Sequence, residues 1–438
     1  MANVLLTTRC NLSCEYCFAK EKLYADHKLA MSMSDVEKVI GFLNRSGHRV
    51  FRAMGGEPTL HPQFPRIVQM ALQSGMCVDV LSNATWPESC NTLFKRISPQ
   101  RLFFLLNVDH PNRYAPRLWE QIEHNLAAVS VRGNITLSFN IFETRPRYEY
   151  VLELRRKRNI NKIRMSFSLP VLSMQNAYLH LEDYKSMAPF IVEFVRRAEE
   201  IGVRVSMDNA VPLCMFTYEQ AGELLMKGVV DFKRNSRCRP VIDIGPDLKV
   251  WCCFCLSRLW NRHLDDFQTL QEIEEYYLRA LSLYQCRLYP LDECQLCKYR
   301  ELWGCQGGCL TFTVNRYGEP ALEEARVQPQ GEDWKPGTVL AFSPDVEITH
   351  YDIPVDSYVV HNKLSGLEME VDASFQPLLT MLDGRYSAQE LVERFVENGN
   401  SSQSQGVLAD FVNKATKRCV TELLSGMLHR GFVVERHA

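Results

Sequence analysis

The stretch Thr7-Thr8-Arg9-Cys10-Asn11-Leu12-Ser13-Cys14-Glu15-Tyr16-Cys17-Phe18 decides how this chain is read. Its cysteines stand at i, i+4 and i+7, directly after the apolar run Val4-Leu5-Leu6. A strand that ends in a tight loop of this kind brings three thiolates onto one small face. Three thiolates leave one iron of a cubane 4Fe–4S cluster without a protein ligand, whereas electron-transfer clusters are normally held by four. An open iron is a place for a substrate or cofactor to bind. Structural zinc sites are usually closed by four ligands, and no His or fourth Cys lies close by in sequence. A set of buried thiols is the plainest alternative.

Downstream, the chain alternates strand and helix. Ser32 or Ser34 caps a helix whose apolar face is Val36, Val39, Ile40 and Leu43, ended by Gly47. Val50 to Met54 reads as a second strand running into Gly55-Gly56-Glu57-Pro58, and a helix from about Phe64 to Ser74 follows. Cys77 to Leu81 is a third strand leading into Ser82-Asn83. Leu102 to Leu106 is apolar enough for burial on both faces. Ile135 to Ile141 and Lys162 to Phe167 make a fifth and a sixth strand, with a basic helix near Tyr148 to Arg158 between them. Such alternation up to about residue 202 predicts a parallel sheet with crossover helices, open or closed as a barrel. Barrel chemistry collects at the carboxyl ends of the strands, and the cysteine loop, Gly55 to Glu57 and Ser82-Asn83 all fall there.

Composition narrows the function classes. Lys plus Arg number 50 against 52 Asp plus Glu in 438 residues, so no global charge argues for nucleic acid or membrane as partner. No run of 18 apolar residues predicts a transmembrane helix, and Met1-Ala2-Asn3-Val4 does not resemble a secretory signal. Sixteen cysteines without export signals point to metal ligation in a reducing, cytoplasmic setting.

The spacing Cys10-x3-Cys14-x2-Cys17, with Tyr16 before the last cysteine, resembles the signature of the radical S-adenosylmethionine (radical SAM) enzymes. The resemblance implies that the open iron chelates the amino and carboxylate groups of S-adenosylmethionine. Reductive cleavage then yields methionine and a 5′-deoxyadenosyl radical, with an electron donor such as flavodoxin or ferredoxin. Gly55-Gly56-Glu57 resembles the family segment that holds the amino group; two glycines also let backbone approach a ligand closely. Leu106-Asn107-Val108-Asp109-His110-Pro111 resembles the fourth-strand motif, with Asn107 at a ribose-contacting position and His110 where Gly is usual. Tyr16, Ser82, Asn83 and Asn140 are further candidate cofactor contacts. Asp79, Asp109 and Asp208 are candidate interior acids, and no catalytic acid or base is assignable.

From about residue 203 the pattern changes to scattered cysteines: Cys238, then Cys252-Cys253-Phe254-Cys255, Cys286, and Cys294-x2-Cys297-x7-Cys305-x3-Cys309. Two close pairs are a metal signal, and zinc is a fair reading in isolation. The segment resembles the SPASM extension, which carries auxiliary 4Fe–4S clusters in peptide-modifying radical enzymes. That resemblance implies an inner site at Cys238, Cys253 and Cys309 and an outer site at Cys294, Cys297 and Cys305, for one or two clusters. Leu248 stands where the family has Gly, and the last family cysteine has no counterpart except Cys419, which reads as a buried thiol. Cys214, Cys252, Cys255 and Cys286 are unassigned.

Residues 319–337 read as a linker. Beyond it, a hairpin around Ser365-Gly366, a helix from Phe375 to Leu382 closed by Asp383-Gly384, a helix capped by Ser387 and Glu390, a longer helix to Leu428 and a last strand from Gly431 describe a winged helix. Glu390, Glu393 and Glu397 would repel phosphate. The Leu-Asp-Gly-x-x-Ser and Leu-x-x-Gly-Phe features resemble the peptide chaperone of pyrroloquinoline quinone biosynthesis, which implies leader-peptide recognition by strand addition.

The expected fold is α/β: a partial (β/α)6 TIM-like barrel over residues 1–205, a Cys-rich SPASM-type extension over 206–318, the linker, and a C-terminal α+β winged-helix domain over 338–438. The expected function is a radical SAM maturase that crosslinks or oxidises a ribosomally made precursor peptide. Radical chemistry on a folded protein or small molecule is the first alternative. A non-catalytic iron–sulfur or zinc regulatory protein is the second.

Overall fold

In the computed structural model, residues 2–20, 30–158, 160–172, 176–231, 235–285, 289–303, 305–317, 338–351, 357–363, 367–372, 375–399, 420–421, 423–424, 427–428 and 432–436 are described. The expected linker, the Ser365-Gly366 turn, Cys286 and Cys419 lie outside them. The chain divides into two compact units, Met1–Ala325 and Arg326–Ala438.

The first unit is built on seven successive parallel strands: β1 (Ala2–Leu5), β2 (Val50–Met54), β3 (Cys77–Ser82), β4 (Leu102–Asn107), β5 (Ile135–Ile141), β6 (Lys162–Phe167) and β7 (Arg204–Met207). The last of these extends the expected six by one. Helices α1 (Met33–Arg45), α2 (Phe64–Gln73), α3 (Glu88–Lys95), α4 (Pro116–Ser130), α5 (Glu149–Lys157) and α6 (Tyr184–Glu200) make the crossovers. Ser32 caps α1, its side chain accepting from the Asp35 amide. A strand from the cysteine-rich segment, β8 (Ile242–Ile244), adds in parallel beside β1, followed by antiparallel β9 (Lys249–Trp251) and β10 (Arg262–His263). The sheet runs from β10 to β7 without closing.

Alternation along the strands separates two faces. Phe51, Ala53, Val78, Val80, Phe104 and Leu106 are buried under the helices, where Trp86, Phe94 and Phe104 pack with ring centroids 5.0–5.9 Å apart. The other face carries polar side chains in register: Asn3 beside Arg52, Arg52 beside Asp79, and Asn3 beside Asp243. Arg52 Nε donates to Asp79 at 2.9 Å and Asn3 Nδ2 to Asp243 at 2.7 Å. Arg164 bonds Ser138 at 3.0 Å and lies 3.3 Å from Asp208. Phe103 on this face is 39% exposed, so β4 is not buried on both sides as its composition suggests.

In the second unit, β11 (Val339–Phe342) pairs with β15 (Asp383–Ser387) and β16 (Val433–Arg436), while β12 (Val346–Tyr351), β13 (Ser357–Asn362) and β14 (Leu367–Asp372) form an antiparallel meander. The helix Gln376–Met381 lies within the expected span, with Leu382 as its C-cap, and Asp383-Gly384 both follows the cap and opens β15. Ser387 and Glu390 exchange the expected capping-box bonds at 2.8 and 3.3 Å. Leu340, Val360, Leu378, Leu391, Leu424 and Phe432 form a core of its own. Of the longer helix, the described residues 420–421, 423–424 and 427–428 are helical.

Truncating Phe94→Ala removes a ring fully enclosed by Trp86, Phe104 and Phe64. The cost should be about 3–5 kcal/mol, read as an earlier denaturation midpoint of the first unit by tryptophan fluorescence.

Candidate active site

The cysteine loop is held from two sides. Toward β2, the Gly56 amide donates to the Thr7 carbonyl at 2.9 Å and the Glu57 amide to the Arg9 carbonyl at 2.8 Å. A Cβ on Gly56 would lie 2.3 Å from Arg9 O, and one on Gly55 2.7 Å from Thr7 O. The room these glycines leave on the Cβ side is therefore filled by the cysteine loop itself. Toward β6, Ser168 Oγ and Asn176 Nδ2 donate to the Tyr16 carbonyl at 3.1 and 3.3 Å, and the Ala177 amide to Glu15 O at 3.0 Å.

Glu57 is fully buried. Its carboxylate accepts from Ser82 Oγ at 2.9 Å, the Asn83 amide at 2.9 Å and Thr59 Oγ1 at 2.6 Å. Burial pushes its pKa up and these donors oppose the shift. Glu57 and Ser82 thus tie the ends of β2 and β3 together. Ala84, just beyond, sits at φ 62°, a left-handed conformation costly for a residue with a Cβ. The Asn83 side chain turns back to the cysteine loop, donating to Asn11 at 3.0 Å and lying 4.0 Å from Cys10 Sγ.

Beside the cysteines, the remaining candidates meet in one polar network. Tyr16 Oη donates to Asp109 at 3.0 Å. Asn140 Nδ2 lies 3.4 Å from both Tyr16 Oη and Asn107 Oδ1, and Ser166 Oγ donates to Asn140 at 2.9 Å. Tyr16 packs on Phe142, with Arg113 over the other ring at 4.7 Å. Asp109, Arg113, Asn140, Glu143, Arg147 and Tyr150 help line a hollow of about 220 Å³ at the ends of β4 and β5. Thr85 Oγ1 accepts from Asn11 Nδ2 at 2.8 Å, and Tyr114 Oη accepts from the Asp109 amide at 2.7 Å. Asn11, Thr85, Tyr114 and Asn176 carried no sequence signal. By contrast, Asp79 and Asp208 are committed to Arg52 and Arg164 farther along the sheet.

The chemistry of the donor set fits a thiolate-ligated cluster. Burial raises the pKa of Cys10 and Cys17, and burial with Asp109 and the other two thiols pushes Cys14 up to about 12. Burial thus favours the neutral thiols; ligation requires their ionisation, for which iron would supply the compensating positive charge. Among the described residues, no three His, Cys, Asp or Glu side chains converge to hold a single metal ion.

Residues 4–125 match the model of the Radical SAM superfamily. The chain carries a radical SAM domain. The S-adenosylmethionine-dependent nucleotide dehydratase of Selenomonas ruminantium is 32% identical over 84 residues, 19% of this chain and 29% of that protein. The GTP 3′,8-cyclase of Chlorobaculum tepidum is 35% identical over 68 residues, 16% and 20% of the two chains. The chain thus spans under a third of these two curated relatives. Beyond the radical SAM domain, likeness is structural. SuiB of Streptococcus suis bound to S-adenosylmethionine superposes with a TM-score of 0.51 at 12% identity, over 71% of this chain and 72% of SuiB. The anSMEcpe structure with bound AdoMet gives 0.53 at 18% identity, over 74% and 99%. These likenesses establish a common fold.

Gly56→Ala should expel the cysteine loop from its seat and lower iron at Cys10, Cys14 and Cys17 severalfold after anaerobic reconstitution. Gly222→Ala, with nothing within 4 Å of the added methyl, should load like the parent.

Proposed function

We propose that the chain is a radical SAM maturase acting on a ribosomally made precursor peptide, its leader captured by the C-terminal unit. The observation that carries this reading is the convergence of Cys10, Cys14 and Cys17 with the Tyr16–Asp109–Asn140–Asn107 network at one end of the parallel sheet. The chemistry supplied by a 4Fe–4S cluster and S-adenosylmethionine at this site is a 5′-deoxyadenosyl radical able to take a hydrogen atom from substrate. Cys10, Cys14 and Cys17 would hold the cluster. Asn107, Asn140 and Asp109 offer amide and carboxylate groups to hydroxyls and amines of the bound cofactor. Gly55, Gly56, Glu57, Ser82 and Asn83 act chiefly by fixing the loop.

Support for a peptide substrate is of two kinds. A structure of anSMEcpe with AdoMet and the Kp18Cys peptide also shares the fold, with a TM-score of 0.53 at 18% identity. In the C-terminal unit, β12 and β14 pair only with β13 among the described residues, which leaves sheet edges for strand addition. Next to β12, Phe342, Ile348, Tyr358, Leu379 and Leu382 line an apolar hollow of about 290 Å³ suited to a leader side chain. The domain boundaries at 205 and 318, the winged-helix form of this unit, an electron donor such as flavodoxin or ferredoxin and a cytoplasmic setting belong to the same proposal. No helix among the described residues is long and apolar enough to cross a membrane.

The decisive experiment is co-expression with the short peptides encoded beside the gene. A mass change in one peptide that disappears with Cys14→Ala is expected; an unchanged peptide together with active S-adenosylmethionine cleavage would sink the maturase reading. Ile348 is 41% exposed, so Ile348→Asp should fold. It should weaken leader binding by about tenfold or more in a fluorescence anisotropy titration, with peptide-free S-adenosylmethionine cleavage unaltered.

A further inference from the structure

The cysteine-rich segment brings its thiols together in two groups, each containing one cysteine that the repeat spacing leaves unassigned. In the inner group, the Cys238 thiol donates to Cys309, and the Cys255 thiol contacts both Cys253 and Cys309. Cys309 also lies 3.1 Å from Thr311 Oγ1. Backbone bonds fix the positions: the Cys238 amide donates to Gln306 Oε1 at 3.0 Å, and the Leu172 amide to Cys255 O at 3.3 Å. Cys252, just past the end of β9, contacts Cys253 and lies within electrostatic reach of Cys238, but it is packed in the apolar core.

The outer group forms where three loops meet. Gly307 and Gly308, at φ +75° and +94°, carry the chain between two prolines. A Cβ on Gly308 would lie 3.2 Å from Pro212, and one on Gly307 2.4 Å from Pro290 and 3.5 Å from Cys294 Sγ. This threading sets Cys305 against the Leu213 amide, which donates to its sulfur. Cys214, the next residue, lies within electrostatic reach of Cys305, Cys297 and Cys294.

We infer that Cys255 completes the inner site with Cys238, Cys253 and Cys309, and that Cys214 completes the outer site with Cys294, Cys297 and Cys305. The inference rests on the reading of this segment as a holder of auxiliary iron–sulfur clusters. Each iron of a cubane takes one thiolate, so both sites are closed, with no iron open to substrate. Closed clusters pass single electrons, so neither site binds the peptide through iron. The fourth outer ligand comes from the loop after β7, ahead of every other cysteine of the segment, instead of from the chain beyond Cys309.

The test uses the full chain carrying Cys10→Ala, Cys14→Ala and Cys17→Ala, reconstituted anaerobically, with iron and sulfide assays and EPR of the reduced protein. This background should hold about 8 iron and 8 sulfide per chain. Adding Cys214→Ala or Cys255→Ala should leave one site with three thiolates and an open iron, so that one EPR signal changes and part of that site's roughly 4 iron is lost, whereas Cys252→Ala and Cys286→Ala should change neither. Cys214→Ser should retain iron with a shifted signal, which separates ligand loss from misfolding. Full iron and an unchanged spectrum in Cys214→Ala and Cys255→Ala would overturn the assignment. A background that binds zinc or no iron would instead overturn the auxiliary-cluster reading beneath it.

Discussion

Two backbone hydrogen bonds hold the site together: Gly56 N–H to Thr7 O and Glu57 N–H to Arg9 O, at 2.9 and 2.8 Å. They extend the β1–β2 pairing past the ends of the strands and into the cysteine loop. They form only because positions 55 and 56 lack a Cβ. An unpaired buried backbone group costs as much as a lost hydrogen bond, so the loop cannot drift without penalty. The Glu57 carboxylate then fastens the other side of the same turn to Ser82 and Asn83. A cluster-binding loop needs this rigidity, because its ligands must meet a metal at fixed spacing while burial disfavours their ionisation.

The interior face of the sheet explains how so polar a surface is tolerated. Asn3, Arg52, Asp79, Arg164, Asp208 and Asp243 bond to one another in pairs. Burial pushes the Asp243 carboxyl well up and opposes ionisation of the Arg164 guanidinium, whereas neighbouring Asp208 favours it. Pairing limits the desolvation cost, yet such pairs seldom add net stability. Their effect is to keep a polar face on a sheet whose other face is a closed apolar core.

Much of this was legible from residues 7–167, where strand and helix periods alternate cleanly and the strand ends coincide with the chemistry. What was not legible has physical causes. Strand β7 has four residues and β8 three, too short for a period to show, and β8 buries Asp243 at its centre. The apolar run of β4 conceals the exposure of Phe103, because strand composition does not report whether the sheet closes. Gly55 and Gly56 advertise close approach but not to what; the partner is the chain's own loop. Leu248 adopts φ 62°, the left-handed turn that the absent glycine would favour, so a departure in sequence leaves the turn intact. Cys214 and Cys255 escape spacing rules because their neighbours are set by the Gly307-Gly308 threading and by contacts 54 to 91 residues away in sequence.

The central claim is that the loop at Cys10, Cys14 and Cys17 leaves one iron open for S-adenosylmethionine. Electron–nuclear double resonance on the reduced, iron-loaded chain with S-adenosylmethionine labelled at its amino nitrogen and carboxylate oxygens tests it most directly. Strong coupling of both labels to the cluster, lost in Cys14→Ala, is the predicted result. A fully assembled cluster showing no coupling to either label would contradict it.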